Sequence, residues 1–208
     1  VEGAVSAGVG AWGLITSIGN PIHAATGGKF LGGPAELDFE LPGPVPLTWQ
    51  RFYSSHDVRA HSALGQGWST PYAVELRLSI NSADEPIAVL YDEQGRDIEF
   101  PQIEPGVGVY SQSEGWYLWR TEGGRYIAQS IDGQYCLFEP AHDDLREQSL
   151  KLERIEDRNA NFIALRWNEQ RQLHQITDST GRLLQLHHDS SGRQTEVTLA
   201  IPAAEETP

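Results

Sequence analysis

Apolar and polar residues alternate along most of the chain, and glycine, proline, asparagine or aspartate interrupts the alternation at short intervals. The clearest run covers residues 72–80, where Tyr72, Val74, Leu76, Leu78 and Ile80 share one face at the two-residue period of a half-buried strand. Residues 36–41 alternate in the same way and are stopped by Pro42, Gly43 and Pro44. Residues 47–54 are also β-type, but aromatic side chains occupy both parities. The inward set is therefore either Leu47, Trp49, Arg51 and Tyr53 or the opposite set, which contains Phe52. Short β runs follow at 87–91, 96–100, 108–110, 116–120, 126–130 and 135–139, divided by turn residues such as Gly123-Gly124 and Asp132-Gly133. Only residues 143–150 read as a short helix, with Asp143 or Asp144 near its start. The pattern predicts an all-β chain of short antiparallel strands.

A turn motif punctuates these strands. Asp-x-x-Gly-Arg occurs as Asp92, Gly95 and Arg96, as Asp178, Gly181 and Arg182, and as Asp189, Gly192 and Arg193. Residues 157–161, bounded by Asp157 and Asn161, follow the same plan, and a degenerate copy at 168–172 places Arg171 where glycine is expected. Ile155, Ile176 and Val197 are spaced by 21 residues, as are Trp167 and His188, so each period holds two strands and two turns. Aspartate opening a turn accepts backbone N–H groups, glycine accepts positive φ, and the following arginine can pair with the aspartate or with a neighbouring strand. Repeated strand-turn units bury an apolar face only by stacking on one another, so these residues read as structural turns of a scaffold.

Composition narrows the function further. The formal charge is −14, from 29 acidic against 15 basic side chains, and no Lys/Arg cluster is present to neutralise phosphates; this argues against a nucleic-acid partner and an anionic membrane surface. The single cysteine, Cys136, excludes an intrachain disulfide framework and reads as a small buried hydrophobe. Residues 1–18 carry Glu2 and lack a basic leader, so they read as an upstream linker and not as a secretory signal or a membrane span. Residues 200–208 read as a flexible tail or a truncation end.

Candidate chemistry is sparse. The turns lack the oxygen ligands of a calcium loop, and His187-His188-Asp189 places adjacent histidines on opposite faces of a strand, so no metal or cofactor is expected. His23, His56 and His61 fall in loops without a catalytic spacing, and Gly27-Gly28-Lys29 lacks the glycine spacing of a phosphate loop. Asp38 and Glu40 share a strand face, which leaves a carboxylate-dependent hydrolase as one alternative. A glycan-binding β module is the other, resting on six tryptophans and seven tyrosines, with Trp116 as an example of an exposed aromatic.

The order of several short motifs is more specific. Gly19-Asn20-Pro21-Ile22, Ala25-Thr26-Gly27, Asp38-Phe39, Leu41-Pro42-Gly43-Pro44, Pro46-Leu47, Arg51-Phe52-Tyr53-Ser54-Ser55 and Gly65-x-Gly67-Trp68 together resemble the opening of bacterial Rhs-type YD-repeat proteins. The segments around Tyr91-Asp92, Thr177-Asp178 and His188-Asp189 resemble that family's repeat signature, so the likeness covers residues 19–199. The resemblance implies a YD-repeat spiral that forms part of a hollow Rhs cocoon. It further implies a C-terminal toxin inside the cocoon, an upstream PAAR domain attached to a secretion spike, and an effector chaperone as a possible partner. The implied location is the bacterial cytoplasm before export through type VI machinery into a target cell.

On this reading the chain is non-catalytic and its role is containment. Residues 1–18 form the linker, 19–35 an irregular plug segment, 36–149 an N-terminal β shell region, 150–199 the start of the spiral, and 200–208 the tail.

Overall fold

A computed structural model describes residues 28–57, 59, 62–142 and 147–200. Gly19, Asn20, Pro21, Thr26 and Gly27 of the motif series lie outside the described residues, as do the linker 1–18, His23, His61 and positions 201–208.

The described residues are almost entirely β-stranded. They begin with β1 (Phe30–Leu31), a 3-10 turn (Pro34–Glu36), β2 (Leu37–Leu41), β3 (Leu47–Gln50), β4 (Phe52–Ser54) and β5 (Trp68–Ser69). β6 (Glu75–Ile80), β7 (Pro86–Tyr91) and β8 (Asp97–Pro101) form a meander. β9 (Gly108–Ser111), β10 (Trp116–Arg120), β11 (Arg125–Gln129), β12 (Tyr135–Pro140), β13 (Gln148–Glu156), β14 (Phe162–Trp167), β15 (Leu173–Asp178), β16 (Leu183–His188) and β17 (Gln194–Ala200) follow.

From β9 to β17 every strand pairs antiparallel with its sequence neighbour, and with β6–β8 they form a 12-stranded sheet. β13 is where the sheet forks. Its first residues pair with β6, Leu150 opposite Leu76, while its later residues pair with β12 and β14. Strands β1, β4 and β5 make a separate three-stranded sheet, and β2 and β3 a two-stranded hairpin.

One apolar core joins these parts. Leu76, Leu90, Leu118, Leu152 and Ile176 are buried within it, along with Phe100, Tyr126 and Phe138. Each buried leucine contributes about 1.5–3 kcal/mol relative to exposure, so alternate positions on short strands suffice to hold the layers together. The β2–β3 hairpin adds Val45, Leu47 and Trp49, with Phe39 and Trp49 stacked and Trp49 tilted onto Tyr72 at 5.5 Å.

Three expectations are corrected. The helix over 143–150 does not extend through its end: Gln148, Ser149 and Leu150 belong to β13, and residues 143–146 lie outside the described residues. Pairing with β6 and the two-residue alternation of buried Leu150 and Leu152 dominate there. Trp116 is buried in the core at 7% exposure, so it is no exposed sugar platform. The long inward face over 47–54 is broken at Arg51: Leu47 and Trp49 point inward, and Arg51 lies between two strands and pairs with Asp38.

Candidate functional site

The strand-joining loops share one geometry. At Asp92, Asp178 and Asp189 the opening N–H donates to the carbonyl four residues on, and the N–H at the glycine donates back to the aspartate carbonyl. The aspartate Oδ1 accepts two further N–H groups: from Gln94 and Arg96, from Thr180 and Arg182, and from Ser191 and Arg193. Gly95, Gly181 and Gly192 sit at positive φ, which closes the loop without a Cβ penalty. The arginine then closes the clamp from outside, Arg96 Nε to Asp92 Oδ2 at 2.8 Å and Arg182 Nε to Asp178 Oδ2 at 2.7 Å.

The same backbone path occurs where the motif is absent. Loops opened by Asn81, Thr121, Ser130, Asp157 and Asn168 have the same pair of backbone bonds. Their fourth residues are Asp84, Gly124, Gly133, Ala160 and Arg171, all at positive φ. The readable signal was an oxygen-bearing side chain at the first position, not aspartate and arginine together. Arg171 offsets its backbone cost by reaching Glu139 Oε2 and the Ser149 carbonyl, which ties its loop to β12 and β13.

Two loops are held by distant parts of the chain. Asp57 lies against Gly95 and is itself gripped by Arg59, whose guanidinium also bonds the Ala73 carbonyl and Ser69 Oγ. Asp57, Arg59 and Asp92 are all buried. Arg182 faces the β2–β3 hairpin, with Nη2 3.5 Å from the Leu41 carbonyl and against Gly43, where a Cβ would crowd it at 2.9 Å. Pro44 of this hairpin lines a shallow open groove with Gly133 and Asp157. Arg193 differs: it is exposed, and among the described residues its guanidinium makes no hydrogen bond and acts on Asp189 only through its charge.

A seam of charges crosses the fork. Lys151 on β13 donates to Glu75 Oε2 at 2.6 Å, and Arg77 donates to Glu75 Oε1 at 2.6 Å. The Arg59 and Arg77 guanidinium groups both pack on the Tyr91 ring, and Lys151 also faces the Trp167 ring. Burial alone would raise the Glu75 carboxyl, but the Lys151 and Arg77 charges and hydrogen bonds outweigh it and hold it at about 2. Glu93 is the opposite case. Its side chain is partly open to solvent but its carboxyl is enclosed, and burial, reinforced by the Asp92 charge, pushes it up to about 7. Burial pushes the Cys136 thiol up to about 12, far from a thiolate nucleophile. At Asp178 burial is outweighed by hydrogen bonds from Thr180 and Arg182, so its carboxyl stays below the usual range.

The remaining candidate residues are dispersed. Asp38 pairs with Arg51, and Glu40 accepts from Thr48 Oγ1 at 3.3 Å; both carboxylates are exposed on the hairpin. Pro42, Gly43 and Pro44 form its tip, while Tyr53, Gly67 and Trp68 meet in the β4–β5 ribbon, where Tyr53 and Trp68 rings lie 5.2 Å apart. Arg51 faces the Trp68 ring. His187 contacts Thr198 Oγ1, and the buried nitrogens His174 Nδ1 and His188 Nε2 have no hydrogen-bond partner among the described residues. Among the described residues no group of three metal-ligating side chains converges, and no helix is long and apolar enough to cross a membrane. Among the described residues the arrangement clamps strands together.

Comparison with known proteins agrees with the bacterial toxin context. Residues 19–100 match a family described as a domain of unknown function (DUF6531). The chain is 31% identical over 179 residues to "Double-stranded DNA deaminase toxin A" of Burkholderia cenocepacia (strain H111), a match covering 86% of this chain and 11% of that protein. It is 41% identical over 108 residues to "Toxin protein Tse5" of Pseudomonas aeruginosa (strain PAO1), covering 51% of this chain and 7% of that protein. The chain thus spans about a tenth of the length of the curated relatives it matches.

Proposed function

We propose that this chain is a non-catalytic segment of an Rhs-type YD-repeat shell that encloses a C-terminal toxin for delivery to competing bacteria. The observation that carries the reading is the ladder β13–β17, in which successive antiparallel strands are joined by one repeated loop and pack their apolar side chains on a common core. Such a ladder extends by adding strands, and its stability comes from each neighbour covering the last. Similarity to two bacterial toxins over a small part of their length supports a role in carrying or delivering a toxin.

On this reading residues 36–149 form the N-terminal shell region and residues 150–199 the first turn of the spiral, with β13 shared between them. The β2–β3 hairpin covers part of the core and Arg182 holds its tip, consistent with a plug at one end of the shell. An upstream PAAR domain, a secretion spike and an effector chaperone are the proposed partners, with export through type VI machinery. Asp92, Asp157, Asp178 and Asp189 serve as structural turn residues, with no catalytic role.

The test is reassociation. This chain and the remainder of its shell, produced separately, should co-elute as a stable complex on size exclusion. Two species that stay apart at micromolar concentration would contradict a shared shell.

A further inference from the structure

The outer edge of β17 is not uniformly open. Among the described residues β17 pairs with β16 on one side only. A strand's backbone N–H lies in the plane of its sheet, directed to one neighbour or the other. The Gln194 N–H donates not to β16 but to the Ala63 carbonyl at 2.8 Å, so Ala63 sits at the outer edge where β17 begins. Its loop is braced from within. Ser62 Oγ donates to the Trp68 carbonyl and accepts from the Leu64 N–H, while Gly65 N–H donates to the Ser62 carbonyl at 3.0 Å. The base of the loop is fixed where Ser54 N–H meets the Gly67 carbonyl at 2.8 Å. At Gly67 positive φ and the approach of Tyr53 leave no room for a side chain.

We propose that the loop carrying Ala63 is a register stop for strand addition at β17. Its carbonyl occupies the first outward donor of the edge, so an added strand pairs with residues 196–200 and ends before Gln194. The occupant is a β strand supplied by the longer polypeptide, continuing the antiparallel ladder of β14–β17; in this respect the inference rests on the shell reading. A slip of one residue would turn every apolar side chain of the added strand to the wrong face, and a fixed stop prevents it. Arg193, beside the stop with its guanidinium free of hydrogen bonds among the described residues, favours a carboxylate or carbonyl on the arriving segment.

Amide hydrogen exchange on this chain and on the longer polypeptide containing it tests the proposal. In the chain alone Gln194 should be protected, and Ser62→Ala should speed its exchange about tenfold, the scale of one lost hydrogen bond, with Leu184 and Leu186 unchanged. Should Ser62→Ala lose protection at Leu184 and Leu186 as well, Ala63→Gly, which loosens the loop while keeping its carbonyl, supplies the same comparison. In the longer polypeptide the open amides of 196–200 should become protected while Gln194 still depends on Ser62. Unprotected Gln194 in the chain, or Gln194 protection independent of Ser62 in the longer polypeptide, overturns the stop and leaves the shell reading standing. Amides of 196–200 that stay open in the longer polypeptide remove the shell reading and the stop together.

Discussion

Gly95 and Gly133 occupy the same loop position at positive φ but have different neighbours. A Cβ on Gly133 meets nothing within 4 Å, whereas one on Gly95 runs into the Asp57 carboxylate. Gly133→Ala should therefore cost only the left-handed backbone, about 1–2 kcal/mol. Gly95→Ala should cost about 2 kcal/mol more, because the buried Asp57–Arg59 pair has to move. Urea unfolding of the two variants checks the order, and equal losses would mean Asp57 does not brace the loop. Glu93 gives a pH dependence of definite sign. Its folded value of about 7 lies above the ordinary 4.5, so the native state binds the extra proton and stability falls as pH rises from 4.5 through 7. Glu93→Gln should flatten that fall and raise the melting temperature at pH 8, and an unchanged profile would contradict an enclosed carboxyl. Glu75 has the reverse sign, its stabilisation being lost as pH drops from 4.5 toward 2. At this scale the Asp-x-x-Gly-Arg loops were legible because the groups that close each turn fall within five residues. Asp57 on Gly95 and Lys151 on Glu75 were not, since tertiary folding brings those residues together.

The strands show the same division between local and tertiary information. The runs at 87–91, 116–120 and 135–139 match β7, β10 and β12 within a residue, because alternation and flanking turns both mark them. β13 was obscured: its acidic approach resembles a helix start, and its role at the fork depends on pairing with β6 from far back in the chain. β1, β4 and β5 are two or three residues each, too short for a period to declare itself. The β2–β3 hairpin was legible as strands but not as a cover for the core, which rests on Trp49 meeting Tyr72 and on the Tyr72 hydroxyl donating to the Thr48 carbonyl at 3.0 Å. Trp49→Ala should cost about 3–5 kcal/mol if the hairpin is an integral layer of the core. Amide exchange should then quicken across β2 and β3 while β14–β16 keep their protection. A loss below about 1 kcal/mol would make the hairpin an independent appendage.

At the scale of the molecule, the features agree on construction. A formal charge of −14, an ionic seam across the fork and repeated self-braced loops make a charged sheet whose neighbouring strands lock onto one another. The all-β class was readable from alternation. The closed shell proposed above was not readable from alternation and rests on resemblance. The proposed role is enclosure, and protease protection of the proposed C-terminal toxin tests it most directly. In the full-length protein the toxin segment should resist a dose of protease that digests it rapidly once residues 28–200 are removed. Equal digestion with and without those residues would contradict the account.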